Sequence, residues 1–147
     1  TALCAEAGAD VRVADPDAER VAVAERFGGV GDEGGSVDVA LDFSGSVVAV
    51  GECLHRLDVG GRLVLAGSVT PGPSVPVDPE AVVRGWLTVT GVHNYEPAHL
   101  RRAVVFLTRT AGTYPWDELV AAPVRLDDVA HALRRPAAPA LRASVVP

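Results

Sequence analysis

Thr1-Ala-Leu-Cys-Ala-Glu-Ala-Gly8, followed by Ala9-Asp-Val-Arg-Val-Ala-Asp15, is the stretch on which the fold turns. The first eight residues read as the end of a helix, because alanine and leucine favour helix and glycine halts it. The next seven read as a short apolar strand that finishes on an acid. Helix, strand and acid in that order form the second half of a dinucleotide-binding fingerprint. In that fingerprint the carboxylate at the end of the second strand accepts hydrogen bonds from an adenosine ribose. The first half, a strand and a glycine-rich turn that grips the pyrophosphate, is expected ahead of Thr1. The chain is therefore expected to be a fragment, holding the part that selects a nucleotide but not the part that grips its phosphates.

Strand and helix signals alternate through the remainder. Strands are expected at Asp10–Ala14, Val37–Phe43, Arg62–Ala66, Leu87–Val92 and Leu141–Val146. Several are unbroken β-branched or leucine runs, as in strands buried on both faces of a parallel sheet. Pro16 suits the first position of a helix with Asp15 as N-cap, running to Gly28-Gly29. Apolar residues recur at helical spacing in Val47, Val50, Gly51 and Leu54, in Leu100, Ala103, Val104 and Leu107, and in Leu126, Val129, Ala130 and Leu133. Asp127 or Asp128 favours the start of the last helix and Arg134-Arg135 its end.

Two stretches interrupt the alternation. Gly28–Ser36 is a glycine-rich connector too short to carry a helix, so one strand–helix unit is expected to be pruned. Val69–Pro79, with four prolines, reads as an extended loop. After about Val92 the pattern becomes a helix pair, a Tyr114-Pro-Trp116 turn and a final strand. The expected fold class is α/β: a partial doubly wound, Rossmann-type parallel sheet lacking its first strand, plus a C-terminal helix-rich return segment.

Composition narrows the function classes. A chain of 147 residues, 48% hydrophobic and 22% charged, can bury one ordinary domain or pieces of two. A net charge of −6 argues against a nucleic-acid surface, which needs a cationic stripe. No apolar run is long enough for a membrane span, and no signal-peptide pattern is visible. The sequence contains no methionine, in keeping with a fragment or processed chain. Cys4 and Cys53 provide neither a disulfide framework nor a cysteine zinc knot, and a cytoplasmic location is expected.

Asp15 is the sharpest site candidate. It can accept hydrogen bonds from both ribose hydroxyls and repel a 2′-phosphate, which favours NAD over NADP. Equally, it can serve only as a helix cap, and the motif leaves both readings open. Arg20, one turn into the helix, could reach the ribose or a phosphate, though alone it reads as a solvated helix residue. Asp42-Phe-Ser-Gly45 closes the second strand, where a small residue and a glycine let a planar ring approach, or simply make a turn. Gly60-Gly-Arg-Leu-Val-Leu-Ala-Gly67-Ser68 gives a tight turn, a buried strand and a glycine where a ligand could sit. Three strand ends of this kind are more persuasive than one, because ligands of doubly wound sheets bind outside the carboxyl ends of the strands. The four histidines are scattered without ligand spacing, and His93-Asn-Tyr95 reads as a turn after a strand. No Ser-His-Asp spacing, Walker loop or HExxH motif is present, so no catalytic or metal-binding residue is named.

The segments AGADVRVADPDAER, VDVALDFSGS, LHRLDVGGRLVLAGSV, DPEAVVRGWLTVTGVHNYEPAHL, LDDVAHAL and LRASVV together resemble the C-terminal portion of a medium-chain zinc-dependent alcohol dehydrogenase. GVHNYEPAHLRRAV is similar to the branch associated with phosphonate catabolism. The resemblance implies that Asp15 takes the adenosine ribose, assisted by Arg20, and that Pro16 and Ser44 flank the adenine while Gly45 permits close approach. It implies that Ala66, Gly67 and Ser68 present backbone groups to the nicotinamide carboxamide, with Gly91 to His93 near the same ring. Arg142 would reach the pyrophosphate.

By the same resemblance, residues 1–90 form the remainder of an NAD-binding domain, and residues 91–147 return to a catalytic domain. Hydride would pass from an alcohol to NAD in a homo-oligomeric parent, with zinc held only by sequence ahead of Thr1. The isolated chain is expected to be silent. Two other readings stand beside this one. A zinc-free NADPH-dependent quinone or enoyl reductase of the same superfamily is disfavoured by Asp15. A non-catalytic nucleotide-binding or dimerisation module is permitted by the low charge and the helix-pair tail.

Overall fold

The computed structural model describes residues 1–134 and 139–147. Its helices α1 (Ala2–Glu6), α2 (Ala18–Glu25), α3 (Val47–His55), α4 (Pro79–Gly85), α5 (Pro97–Arg109) and α6 (Val129–Ala132) alternate with short strands. The strands are β1 (Arg12–Val13), β2 (Val30–Gly31), β3 (Val37–Asp42), β4 (Leu57–Leu65), β5 (Thr88–Gly91), β6 (Val124–Arg125) and β7 (Val145–Val146). Every pairing among them is parallel: β1 with β2, β3 with β4, β4 with β5, and β6 with β7. The fold is thus the α/β, Rossmann-type arrangement that the alternating pattern predicts. By compactness the chain divides into Thr1–Glu33 with Pro97–Pro147, and Gly34–Glu96. The division by function was expected elsewhere, near residue 90.

Within the unit Gly34–Glu96, a three-stranded sheet runs in the order β3-β4-β5. Leu63 of the central strand is fully buried, beside Ala40 of β3 and Val50 of α3. The α3 repeat falls as its spacing requires: Val50 is buried, Val47, Gly51 and Leu54 half-buried, and Val48 exposed. Strand β4 starts five residues earlier than expected, because Leu57 pairs with Val37. The register then jumps, and Val39 pairs with Arg62, as Asp58–Gly61 turns out of line. Gly60 takes a φ of 80°, and a Cβ on Gly61 would lie 2.7 Å from the Asp58 carbonyl oxygen, so the turn needs both glycines. Helix α4 was not expected, although Asp78-Pro79 is a cap-and-proline start. Asp78 accepts a hydrogen bond from the Glu80 amide at 2.9 Å.

In the other unit, β1-α2-β2 forms a parallel βαβ turn of its own. The glycine-rich connector therefore contains a short strand, which the sequence pattern did not mark. Gly29 permits it, since a Cβ there would sit 2.9 Å from the Val13 side chain. No helix separates β2 from β3, as the connector's length required. Ala2, Val23 and Phe27 form the buried core, covered by Phe106, Tyr114, Trp116 and Leu119. Phe27 stacks on Tyr114 at 5.6 Å between ring centroids and lies 4.9 Å from Trp116. The Trp116 indole donates to the carbonyl and hydroxyl oxygens of Thr110, each at 3.2 Å. Arg26 pairs bidentately with Glu118, at 2.5 and 2.7 Å.

Four expectations for this unit need correction. Helix α2 begins at Ala18 and is capped by Asp17, which accepts from the Glu19 amide; Asp15 is not the cap. The repeat Leu100, Ala103, Val104 and Leu107 lies on α5 but is exposed, and Phe106 provides that helix's buried contact instead. The last repeat shrinks to a 3-10 turn, Leu126–Asp128, and the four residues of α6. Its expected end at Arg134-Arg135 falls partly outside the described residues. The final strand is likewise short: Arg142 makes only an isolated bridge with Val120, and β7 pairs with β6, a strand not expected.

Candidate cofactor-binding site

The carboxyl ends of β3 and β4 are joined through Asp42, which is 3% exposed. Its side chain accepts hydrogen bonds from the Ser44 amide at 3.0 Å, the Ser44 hydroxyl at 2.6 Å and the Gly45 amide at 3.1 Å. Its backbone carbonyl accepts from the Ala66 and Gly67 amides, at 2.9 and 3.0 Å. A buried acid without such donors would be costly, so the turn geometry is what lets Asp42 lie there. The sequence reading quoted Asp42 but did not single it out. The signal was available: an acid two residues before a serine at a strand end invites a side-chain turn to the following amides.

The glycines at these ends answer first to one another. Gly45 has a φ of 67°, and a Cβ on it would lie 2.5 Å from the Gly67 carbonyl oxygen. A Cβ on Gly67 would meet the Phe43 carbonyl carbon at 2.4 Å and the Gly45 nitrogen at 2.5 Å. Chain-to-chain contact alone therefore requires glycine at both positions. Ser44 and Ser68 are exposed, while Ala66 and Gly67 are half-buried. Because Asp42 occupies the Ala66 and Gly67 amides, the Ala66 carbonyl and the Ser68 amide are the backbone groups left for a ligand. Phe43, inside the turn after β3, is 76% exposed. The nearby Cys53 thiol is pushed up in pKa by burial and then by the charge of Asp42, which makes it a poor nucleophile.

In the other unit, Asp15 lies half-buried just past β1, and its Oδ1 accepts from the Asp17 amide at 2.9 Å. Its Oδ2 has no partner among the described residues. Pro16 is exposed beside it. Arg20 is engaged locally, with Nε 3.7 Å from an Asp17 oxygen. Arg142 is exposed, and its guanidinium donates to its neighbour's carbonyl, Leu141 O, at 3.1 Å. The nine expected residues thus fall into two groups: Asp15, Pro16, Arg20 and Arg142 in one unit, and Ser44, Gly45, Ala66, Gly67 and Ser68 in the other.

One spacing escaped the sequence reading. Gly29-Val-Gly31-Asp-Glu-Gly34 matches the glycine interval of a phosphate-binding turn. It forms β2 and a loop into β3 with no helix behind it, so it lacks the amide-rich helix start such a turn needs. His93-Asn-Tyr95 is a turn, as read, with Asn94 at a φ of 57°. Among the described residues no three His, Cys, Asp or Glu side chains gather as a metal site. No described helix is long and apolar enough to cross a membrane.

No protein-family model matches the chain, and no curated protein matches its sequence. Solved structures do match. A proposed zinc-binding dehydrogenase of Sinorhizobium meliloti, bound to NADP, superposes with a TM-score of 0.82 at 23% identity over 99% of this chain. Benzyl alcohol dehydrogenase of Acinetobacter calcoaceticus gives a TM-score of 0.73 at 20% identity over 93%. An Escherichia coli protein named as a short-chain alcohol dehydrogenase, complexed with NADH, gives 0.69 at 17% identity over 92%. The chain spans 48%, 42% and 43% of their respective lengths, a little under half of each. At these identities the likeness establishes the fold alone: the chain has the fold of a little under half of each of these dehydrogenase structures.

Proposed function

We propose that the chain is the cofactor-binding part of an NAD-dependent, zinc-type alcohol or polyol dehydrogenase. The observation that carries this reading is Asp15, a half-buried carboxylate at the carboxyl end of a parallel strand with one oxygen held by Asp17 and the other open. The open oxygen suits the ribose hydroxyls. Against a 2′-phosphate the same charge costs about 4 kcal/mol at ~4 Å and an effective dielectric of ~20. In the unit of Asp15, Pro16 would contact the adenine and Arg20 would support Asp15 once drawn from Asp17; in the other unit, Ser44 would contact the adenine. The Ala66 carbonyl and Ser68 amide suit a carboxamide, with Gly91 to His93 near the same ring, and Arg142 offers a cation for the pyrophosphate. When bound, NAD supplies the ring that accepts hydride; these residues bind and orient it.

Residues 1–90 would form the NAD-binding part and residues 91–147 the return towards a catalytic part. Zinc would be held by other residues of the parent enzyme. The alcohol substrate, a homo-oligomeric parent, a cytoplasmic location and the catalytic silence of this chain alone belong to the same proposal. A second reading, an NADPH-dependent reductase without zinc, takes support for its cofactor alone from the NADP bound to the Sinorhizobium meliloti structure, which is itself named as zinc-binding. Calorimetry separates the two. NADH should bind the chain weakly and NADPH more weakly still, whereas tight NADPH binding would overturn the role given to Asp15.

A further inference from the structure

Asp42 does more than satisfy its own turn. Its side chain fixes Ser44 and Gly45, its carbonyl holds Ala66 and Gly67, and Gly45 abuts Gly67 with no room for a Cβ on either. All the hydrogen-bond partners given above for Asp42 belong to these two turns. The same two turns hold five of the nine residues assigned to the cofactor. We infer that Asp42 is a positioning residue: its buried carboxylate sets the turn after β3 and, through the Gly45–Gly67 contact, the turn after β4. Together those turns shape the surface on which the dinucleotide lies. The inference rests on the cofactor reading proposed above. It also makes a separate claim, that loosening the first turn loosens the second.

The mechanism is geometric. A carboxylate can accept from both following amides at once, whereas a carboxamide presents a donor to one of them. Asp42→Asn should therefore strip Gly45 of its 3.1 Å bond to Oδ2, leave it only the longer 3.3 Å one to Oδ1, and keep the Ser44 bonds. Asp42→Ala should release both. Gly67→Ala should push the turns apart from the opposite side.

The test uses the full chain and two readouts. Amide hydrogen exchange, measured without cofactor, should quicken about tenfold at Gly45, Ala66 and Gly67 in Asp42→Asn, the shift expected from one charge-assisted hydrogen bond. Asp78→Ala, which removes the α4 cap, should leave those three amides unchanged. Acceleration confined to Gly45, with Ala66 and Gly67 at wild-type rates, would overturn the coupling. NADH affinity, measured where every variant is folded, should fall about tenfold in Asp42→Ala and less in Asp42→Asn, with Asp78→Ala at the wild-type value. Exchange that responds while affinity does not would overturn the positioning role. A wild-type chain that binds neither NADH nor NADPH would sink the cofactor reading, and exchange would still decide the coupling. Should Asp42→Ala fail to fold, Asp42→Asn and Gly67→Ala carry both readouts.

Discussion

The two compact units hold their candidate residues in different ways. In Gly34–Glu96, residues far apart in sequence are tied together: Asp42 binds Ala66 and Gly67 across strands, and two glycines touch where a side chain would not fit. In Thr1–Glu33 with Pro97–Pro147, the candidates are tied to their own neighbours: Asp15 to Asp17, Arg20 to Asp17, Arg142 to Leu141. The cores differ in kind as well. The first is aliphatic and crosses a sheet, and the second is an aromatic cluster centred on Phe27. A turn built by long-range contacts is preorganised for a ligand, whereas a locally held side chain can change partner when one arrives.

The contrast can be pushed hardest at the cores. Phe27→Ala removes the ring on which Tyr114 and Trp116 pack and should cost about 3–5 kcal/mol, enough to unfold a marginal unit. Trp116 fluorescence during denaturant unfolding reads this directly. Leu63→Ala leaves a cavity in a sheet core and should cost about 2–5 kcal/mol, seen as a lower midpoint at an unchanged slope. A loss below ~1 kcal/mol at either site would mean that its unit does not depend on the core described.

At the candidate site, Asp15→Asn keeps the hydrogen bond to the Asp17 amide and removes the charge. The preference for NADH over NADPH should then narrow by roughly tenfold or more, given the size of the like-charge term. An unchanged ratio in titration calorimetry would return Asp15 to a purely structural role.

The smallest effect is expected at the surface. Hydrogen bonding to Arg26 holds the Glu118 carboxyl below its ordinary pKa of 4.5. A depressed carboxyl adds stability above its unfolded pKa and loses that contribution as the pH falls through the folded value. Glu118→Gln should thus lower the melting temperature slightly near pH 7 and converge with wild type in strong acid. Both side chains are exposed, so added salt should shrink the difference. A gap that persists in acid would mean the pair acts by packing rather than by charge.

Much of the architecture could be read from local pattern. An apolar run marked the body of β4, β-branched residues marked β3 and β5, and the spacing of Val47, Val50 and Leu54 marked α3 with its buried face. Burial on both faces does not extend to β3, which is mostly exposed, or to β5, which is exposed throughout. Asp15 at a strand end was legible because strand and acid are adjacent in the chain. Other features depended on partners far away. Strands β2 and β6 are two residues long, too short for any periodicity, and exist because β1 and β7 lie beside them. The apolar repeat of α5 promised a buried face that the described residues do not cover.

Sequence by itself determined the parallel α/β alternation, the acid after β1 and the glycines at the strand ends, because each follows from residues close in the chain. Tertiary structure alone decided that Asp17 and not Asp15 caps α2, and that Gly45 and Gly67 are glycines first for one another. It also decided that Asp42 binds two turns more than twenty residues apart. The physical reason is the same in each case. A hydrogen bond or a steric contact depends on distance in space, and only the folded chain brings those atoms together.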